Sequence, residues 1–195
     1  MDKAQIREQA KDLFSRISFA KTSVADIAKA CGLGKGTIYL YYKSKDDIVL
    51  AIIEERTAKR AAADADYFGD DGVPLADKVL RFSEGLVEES FALKDLLFGP
   101  FENLKGDILK NVFFKYGRFY DRFLEHFLDL VRPYCDRALK DEEGFRADVK
   151  TYMELMIGRI ILYLVIKDWN DEEGLKSVMR PLSVRLFRSL VEQGA

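Results

Sequence analysis

Apolar positions recur at intervals of three and four residues along nearly the whole chain, and nowhere does a run alternate as a strand would. Leu13, Phe14 and Ile17 end a first predicted helix that begins near Ala4, and Val24, Ile27, Ala28 and Cys31 mark the face of a second. Ser23 stands before that second helix with Asp26 three residues on, the spacing of a capping box. Gly32-Leu33-Gly34 breaks it, and a short helix follows from about Lys35 to Tyr41. Ser44 and Asp47 repeat the capping pattern and open a long helix to about Asp66. The clearest break is "FGDDGVP", Phe68 to Pro74, since glycine and proline both punctuate helices.

Further helices are predicted over about 75–93 and 112–139, with Pro133 kinking or ending the second. They flank the Gly/Pro-broken "FGPFENLKGD". The stretch from Phe145 to Trp169 is apolar on most faces and is predicted to be buried on several sides. Asn170 and Glu173 resemble the cap of a last helix ending near Val191, with Pro181 in its interior. The fold class is all-α, with a domain boundary expected at 48/49: residues 1–48 as a three-helix unit, residues 49–195 as a larger helical domain.

Length and composition are consistent with this. A chain of 195 residues with 48% apolar and 33% charged residues can bury a core and is not of disordered composition. Its longest apolar run, Ile160 to Ile166, is too short for a membrane span, and the N-terminus mixes both charges without an apolar core, so no membrane association and no signal peptide are expected. Cys31 and Cys135 lie far apart in apolar contexts, as free buried thiols in a reducing cytoplasm would. Residues 1–60 hold 12 Lys/Arg against 8 Asp/Glu, whereas the rest hold 19 against 25. A positive N-terminal end on an acidic body suits an anionic polymer at that end only.

That end contains "CGLGKGTIYLYYKSK", Cys31 to Lys45. It is not a phosphate-binding loop, because Lys35 is followed by Gly36 and no glycine stands at the required offset upstream. It is not a dinucleotide fingerprint either, since Thr37 stands three residues after Gly34. Two short helices joined by a glycine turn instead fit a DNA-reading helix-turn-helix. Ile27, Ala28, Cys31, Leu33 and Ile38 would form its core against Leu13 and Phe14, and Gly32 would take the left-handed conformation. Lys35, Gly36, Thr37, Tyr39 and Tyr41 are then left on or near the exposed start of the second helix of the pair.

At these residues the sequence resembles the TetR family of bacterial transcriptional repressors. The stretch "TSVADIAKACGLGKGTIYLYYKSKDDIVLAII" follows the family's N-terminal pattern nearly position for position, and the resemblance covers about residues 6–55. One departure is Ser18, where the family commonly has a glycine. The resemblance implies phosphate contacts at Thr22, Ser23, Tyr41 and Lys45, base-facing positions at Lys35, Gly36 and Thr37, and an inward-packed Tyr42. It also implies a two-fold homodimer formed by the two C-terminal helices, with Ile157, Ile160, Leu164 and Leu186 as candidate contacts beside Met153 and Gly158, and an inverted-repeat operator. A small effector bound by the second domain would lower DNA affinity.

Ten of the 37 residues from Phe91 to Phe127 are Phe or Tyr. Phe98, Phe101, Tyr116, Phe119, Tyr120 and Phe123 are candidates for an apolar pocket, and equally the residues a plain core would use. Helical spacing places Arg159 on a stripe with Tyr152, Met156, Tyr163 and Ile166. There it would either pair with Asp121 or Glu125 or anchor an effector's acid group. No cofactor or metal is expected, because Cys31, Cys135 and the sole histidine, His126, lack ligand spacing, and no nucleophile–base constellation suggests an enzyme. The leading expectation is a ligand-responsive DNA-binding repressor. The alternative is a helical small-molecule-binding protein whose helix-turn-helix makes protein contacts.

Overall fold

A computed structural model of the chain describes residues 2–93, 120–135, 138, 140–166 and 171–192. Helices account for nearly all of them: α1 (Lys3–Ile17), α2 (Val24–Ala30), α3 (Lys35–Tyr41), α4 (Lys45–Phe68), α5 (Leu75–Ala92), α6 over 120–131, α7 (Glu142–Ile166) and α8 (Glu172–Glu192). Among the described residues there is no strand, and no helix is long and apolar enough to cross a membrane.

Local chemistry sets most helix ends. Asp2 and Gln5 form a capping box on α1. The box at α2 forms between Ser23 and Asp26, with Asp26 N–H donating to Ser23 Oγ at 3.2 Å and Ser23 N–H donating to Asp26 Oδ2 at 2.8 Å. Helix α4 opens with Asp47 N–H on Ser44 Oγ at 3.1 Å and runs two residues past the expected Asp66. Proline ends α6 rather than kinking it, since the chain passes into a 3-10 turn at Arg132–Tyr134, around Pro133. Helix α7 begins at Glu142, three residues before the expected Phe145. Asp141 caps it, its Oδ1 accepting from Gly144 N–H at 3.0 Å. The last helix is capped by Asp171, whose Oδ1 accepts from Gly174 N–H at 2.8 Å; the expected cap, Asn170, lies outside the described residues. Pro181 does sit inside α8.

The chain divides into two compact units, with the division between Arg60 and Ala61, inside α4. In the first, α2 packs on α1 and α3, and Ile6, Leu13, Phe14, Ile27, Ile38 and Ile52 are buried. Tyr42 is buried too, donating to Lys3 O at 3.1 Å and accepting from Arg7 at 3.2 Å. Glu55 on α4 receives Arg7 at 2.8 Å, Lys59 at 2.9 Å and Lys11 at 3.8 Å, so α1 is fastened to α4 by charge as well as by apolar packing.

In the second unit α8 packs mainly on α5 and also on α7. Its centre is a column of rings: Phe82 stacks on Phe127 at 4.3 Å, Phe127 on Tyr152 at 5.4 Å, and Tyr152 meets Phe187 edge-on at 6.2 Å. Beside the column, the hydroxyls of Ser83, Tyr152 and Ser183 lie 2.6–3.0 Å from one another, so α5, α7 and α8 share a closed polar triad whose members satisfy each other in the core. Lys78 is fully buried; its ammonium donates to Phe68 O at 2.6 Å and Tyr134 Oη at 2.8 Å. A cation is well placed there, at the negative end of the α4 dipole.

Candidate nucleic-acid interface

Helix α3 presents two faces of different character. Ile38 points inward and is completely buried, and the turn before α3 is fixed by Gly32, whose φ of 66° is the left-handed value a glycine accepts without strain. On the outward side Lys35, Gly36 and Tyr39 are exposed and Thr37 and Tyr41 are half-buried. The Lys35 ammonium lies 5.8 Å from the centre of the Tyr39 ring, so cation and aromatic form one unit on that face. A β-carbon placed on Gly36 would meet nothing within 4 Å. Nothing among the described residues therefore calls for a glycine there. Leu40, which the sequence reading left out of the site, is 84% exposed on the same side, one turn after Gly36.

Two expected phosphate contacts have other occupations. Thr22 is only 2% exposed, and its hydroxyl donates to Ser18 O at 2.7 Å. The Lys45 ammonium donates to Phe19 O at 2.6 Å and Thr22 O at 2.8 Å, and sits 4.0 Å from the centre of the Phe19 ring. Burial pushes the Lys45 ammonium below its ordinary pKa, against a smaller upward pull from Asp46. Thr22 and Lys45 together thus brace the loop between α1 and α2. Sequence could not show this, because the carbonyls that accept from Lys45 carry no residue signature. Ser23 is exposed, but its hydroxyl also donates to Asp26 Oδ2 at 2.6 Å. That bond, followed by the one from Ser23 N–H, holds the Asp26 carboxyl below its usual range.

The second-domain candidates divide three ways. Phe98, Phe101, Tyr116 and Phe119 lie outside the described residues. Tyr152, Met156 and Tyr163 are buried, with Tyr163 Oη donating to Asp171 Oδ2 at 2.7 Å. Tyr120 and Phe123 are half-buried; Phe123 lies 5.5 Å from the Phe82 ring, and burial, then Glu154, pushes the Tyr120 hydroxyl up to about 12. Arg159 corrects the sequence reading. It is exposed rather than on the buried stripe of Tyr152, Met156 and Tyr163, and Glu125, one of its expected partners, pairs with Arg146. Because α7 is apolar nearly all round, its inward direction could not be read from spacing.

The expected dimer stripe on α7 is corrected at two positions for the same reason, while Ile157 is half-buried and Gly158 exposed. Met153 and Ile160 belong to the core of their own unit, and the side chains of Leu164 and Leu186 lie outside the described residues. Among the described side chains of α7, the large apolar residues that are exposed are Leu155 and Leu162, at 51% and 49%, with Arg159 between them. His126 Nε2 stands 3.9 Å from Asp64 Oδ2, and no cluster of three metal-binding side chains occurs among the described residues.

Residues 6–52 match the family model described as "Bacterial regulatory proteins, tetR family". Over 52 residues the chain is 36% identical to the fatty acid metabolism regulator protein of Bacillus subtilis (strain 168), covering 27% of each protein. The chain thus spans about a quarter of the length of this curated relative. Among solved structures it is similar to Thermus thermophilus FadR, a TetR-family repressor in complex with lauroyl-CoA (TM-score 0.66, 18% identity, 98% of this chain and 94% of that one). It is equally similar to Salmonella enterica GusR (TM-score 0.66, 22% identity, 95% of each chain). At these identities the likeness to the two structures is one of fold.

Proposed function

The N-terminal domain is of the tetR family of bacterial regulatory proteins, and from that premise we propose that this chain is a ligand-responsive transcriptional repressor. It binds an inverted-repeat operator as a homodimer and leaves it when a bulky, apolar effector binds the second unit. The observation that carries the DNA-reading half is Gly36. A glycine inside a helix costs about 0.5–1 kcal/mol relative to alanine, and no neighbour among the described residues needs its missing side chain. A partner that approaches the α3 backbone closely does need it, and the floor of a major groove is such a partner.

A seven-residue helix offers few contacts, which favours two copies on two half-sites, related as the protein's own two-fold axis requires. Leu155 and Leu162, exposed on one side of α7, suit the contact between copies. For the effector, the ring column around Phe82 and Phe127 supports an apolar or aromatic class. The lauroyl-CoA of the Thermus thermophilus neighbour adds acyl-CoA thioesters to the compounds to test.

Selection of bound duplexes from a random-sequence DNA pool tests the reading. An inverted repeat should be enriched, and Gly36→Ala should weaken binding to it while leaving the fold as stable or more so. A pool that enriches no sequence would refute DNA reading and leave the helix-turn-helix to protein contacts.

A further inference from the structure

Leu40 is the most exposed of the large hydrophobic residues described, at 84%, and it stands on the face of α3 that carries Gly36 and Thr37, four and three residues before it. The isoleucines of α2 and α3 point the opposite way, Ile27 and Ile38 being completely buried. Single exposed leucines are common on protein surfaces, so exposure alone says little. Position says more. Helical side chains lean toward the N-terminus, so Leu40 leans over the turn that contains Gly36. A β-carbon at Gly36 would touch nothing, so the surface beneath that lean is open.

Resting on the DNA-reading function proposed above, we infer that Leu40 reads a thymine in each half-site through its 5-methyl group. Leucine has neither donor nor acceptor, so it cannot read the N7, O6, O4 or N4 groups that line the major groove. The thymine methyl is the one apolar group on the base edges there. A phosphate is a poor partner, because an isobutyl group against it would strip water from the oxygens and return no hydrogen bond. Lys35 and Thr37 supply polar contacts to neighbouring base edges, and Leu40 adds one that polar side chains cannot make. It is a specificity-determining residue whose contribution to the isolated fold is small.

The test is a methyl scan. In the duplex enriched from the random pool, each thymine is replaced singly by deoxyuridine, which removes the methyl and leaves every hydrogen-bonding group in place. Full-length protein should lose about fourfold in affinity at one thymine of each half-site, the value of one buried methyl group, and about fifteenfold with both replaced. Leu40→Ala should bind the thymine and deoxyuridine duplexes equally while melting at the wild-type temperature. If the wild-type protein binds every deoxyuridine duplex as tightly as the parent, or if Leu40→Ala keeps the same methyl sensitivity, the assignment is wrong while DNA reading stands. If no duplex is enriched, both fall.

Discussion

Ser18 holds φ 86° and ψ 154°, a combination that is close to glycine-only, and it is the position where the family pattern commonly has glycine. The unusual backbone is held from both sides: Ser18 N–H donates to Phe14 O at 3.0 Å, and Ser18 O accepts the Thr22 hydroxyl at 2.7 Å. Such a conformation costs a non-glycine residue about 1–3 kcal/mol. Ser18→Gly should therefore raise the free energy of unfolding by about 1 kcal/mol or more, read as a higher denaturant midpoint at unchanged slope. Lys45 braces the same loop from the other end. Lys45→Met keeps the stem over Phe19 and removes both carbonyl hydrogen bonds, so it should cost about 1–3 kcal/mol of stability. It should leave the salt dependence of DNA binding nearly intact. A fall of about one in that slope, with stability unchanged, would make Lys45 a phosphate contact after all.

At the scale of helices, ends were far more legible than inward directions. Ser23 with Asp26, Ser44 before α4, and the break after Phe68 are signals confined to a few neighbouring residues, and each forms as the sequence predicts. The direction in which α7 faces depends on which neighbours cover it, and its nearly continuous apolar surface left Arg159, Met153 and Ile160 misassigned. Charged contacts between helices were equally hidden, above all the three cations around Glu55. The Lys59 bond, then the Arg7 bond, pulls the Glu55 carboxyl from its ordinary 4.5 to about 2. A depressed carboxylate gives stability that is complete above the unfolded value and is lost as pH falls through the folded one. Wild-type protein should accordingly lose stability between about pH 4.5 and 2 more steeply than Glu55→Gln, and the two curves should converge at the acid end. Asp2 and Asp26 are also lowered, so the difference between wild type and variant, not the wild-type curve alone, isolates Glu55. Parallel curves would show that the Glu55 bridges add nothing.

At the scale of the whole molecule, the proposed regulation needs one element shared by reading and sensing, and α4 is that element. Its 24 residues form one uninterrupted helix, about 36 Å long at 1.5 Å per residue. Lys45, at its first turn, braces the loop before α2, and Phe68, at its last, is gripped by Lys78 at 2.6 Å. Its residues to Arg60 belong to the first compact unit and those from Ala61 to the second. In the proposed regulation, a shift of the α4 C-terminus caused by an effector in the second unit is carried along α4 itself, which has no loop between its two parts. The coupling required is modest: about 1–3 kcal/mol changes operator affinity by about 5–150-fold. Linkage makes the effect reciprocal, and that provides the measurement. For a compound that releases the selected duplex, lauroyl-CoA being one to try, calorimetric titration should give a Kd weaker in the presence of saturating operator, by the same factor with which the compound weakens operator binding. Lys78→Met, which lets go of Phe68 while keeping an apolar stem of similar length, should reduce both factors together. Complete exclusion of the compound by saturating operator, rather than a finite weakening, would mean that release occurs by competition at the DNA surface, and α4 would carry no signal.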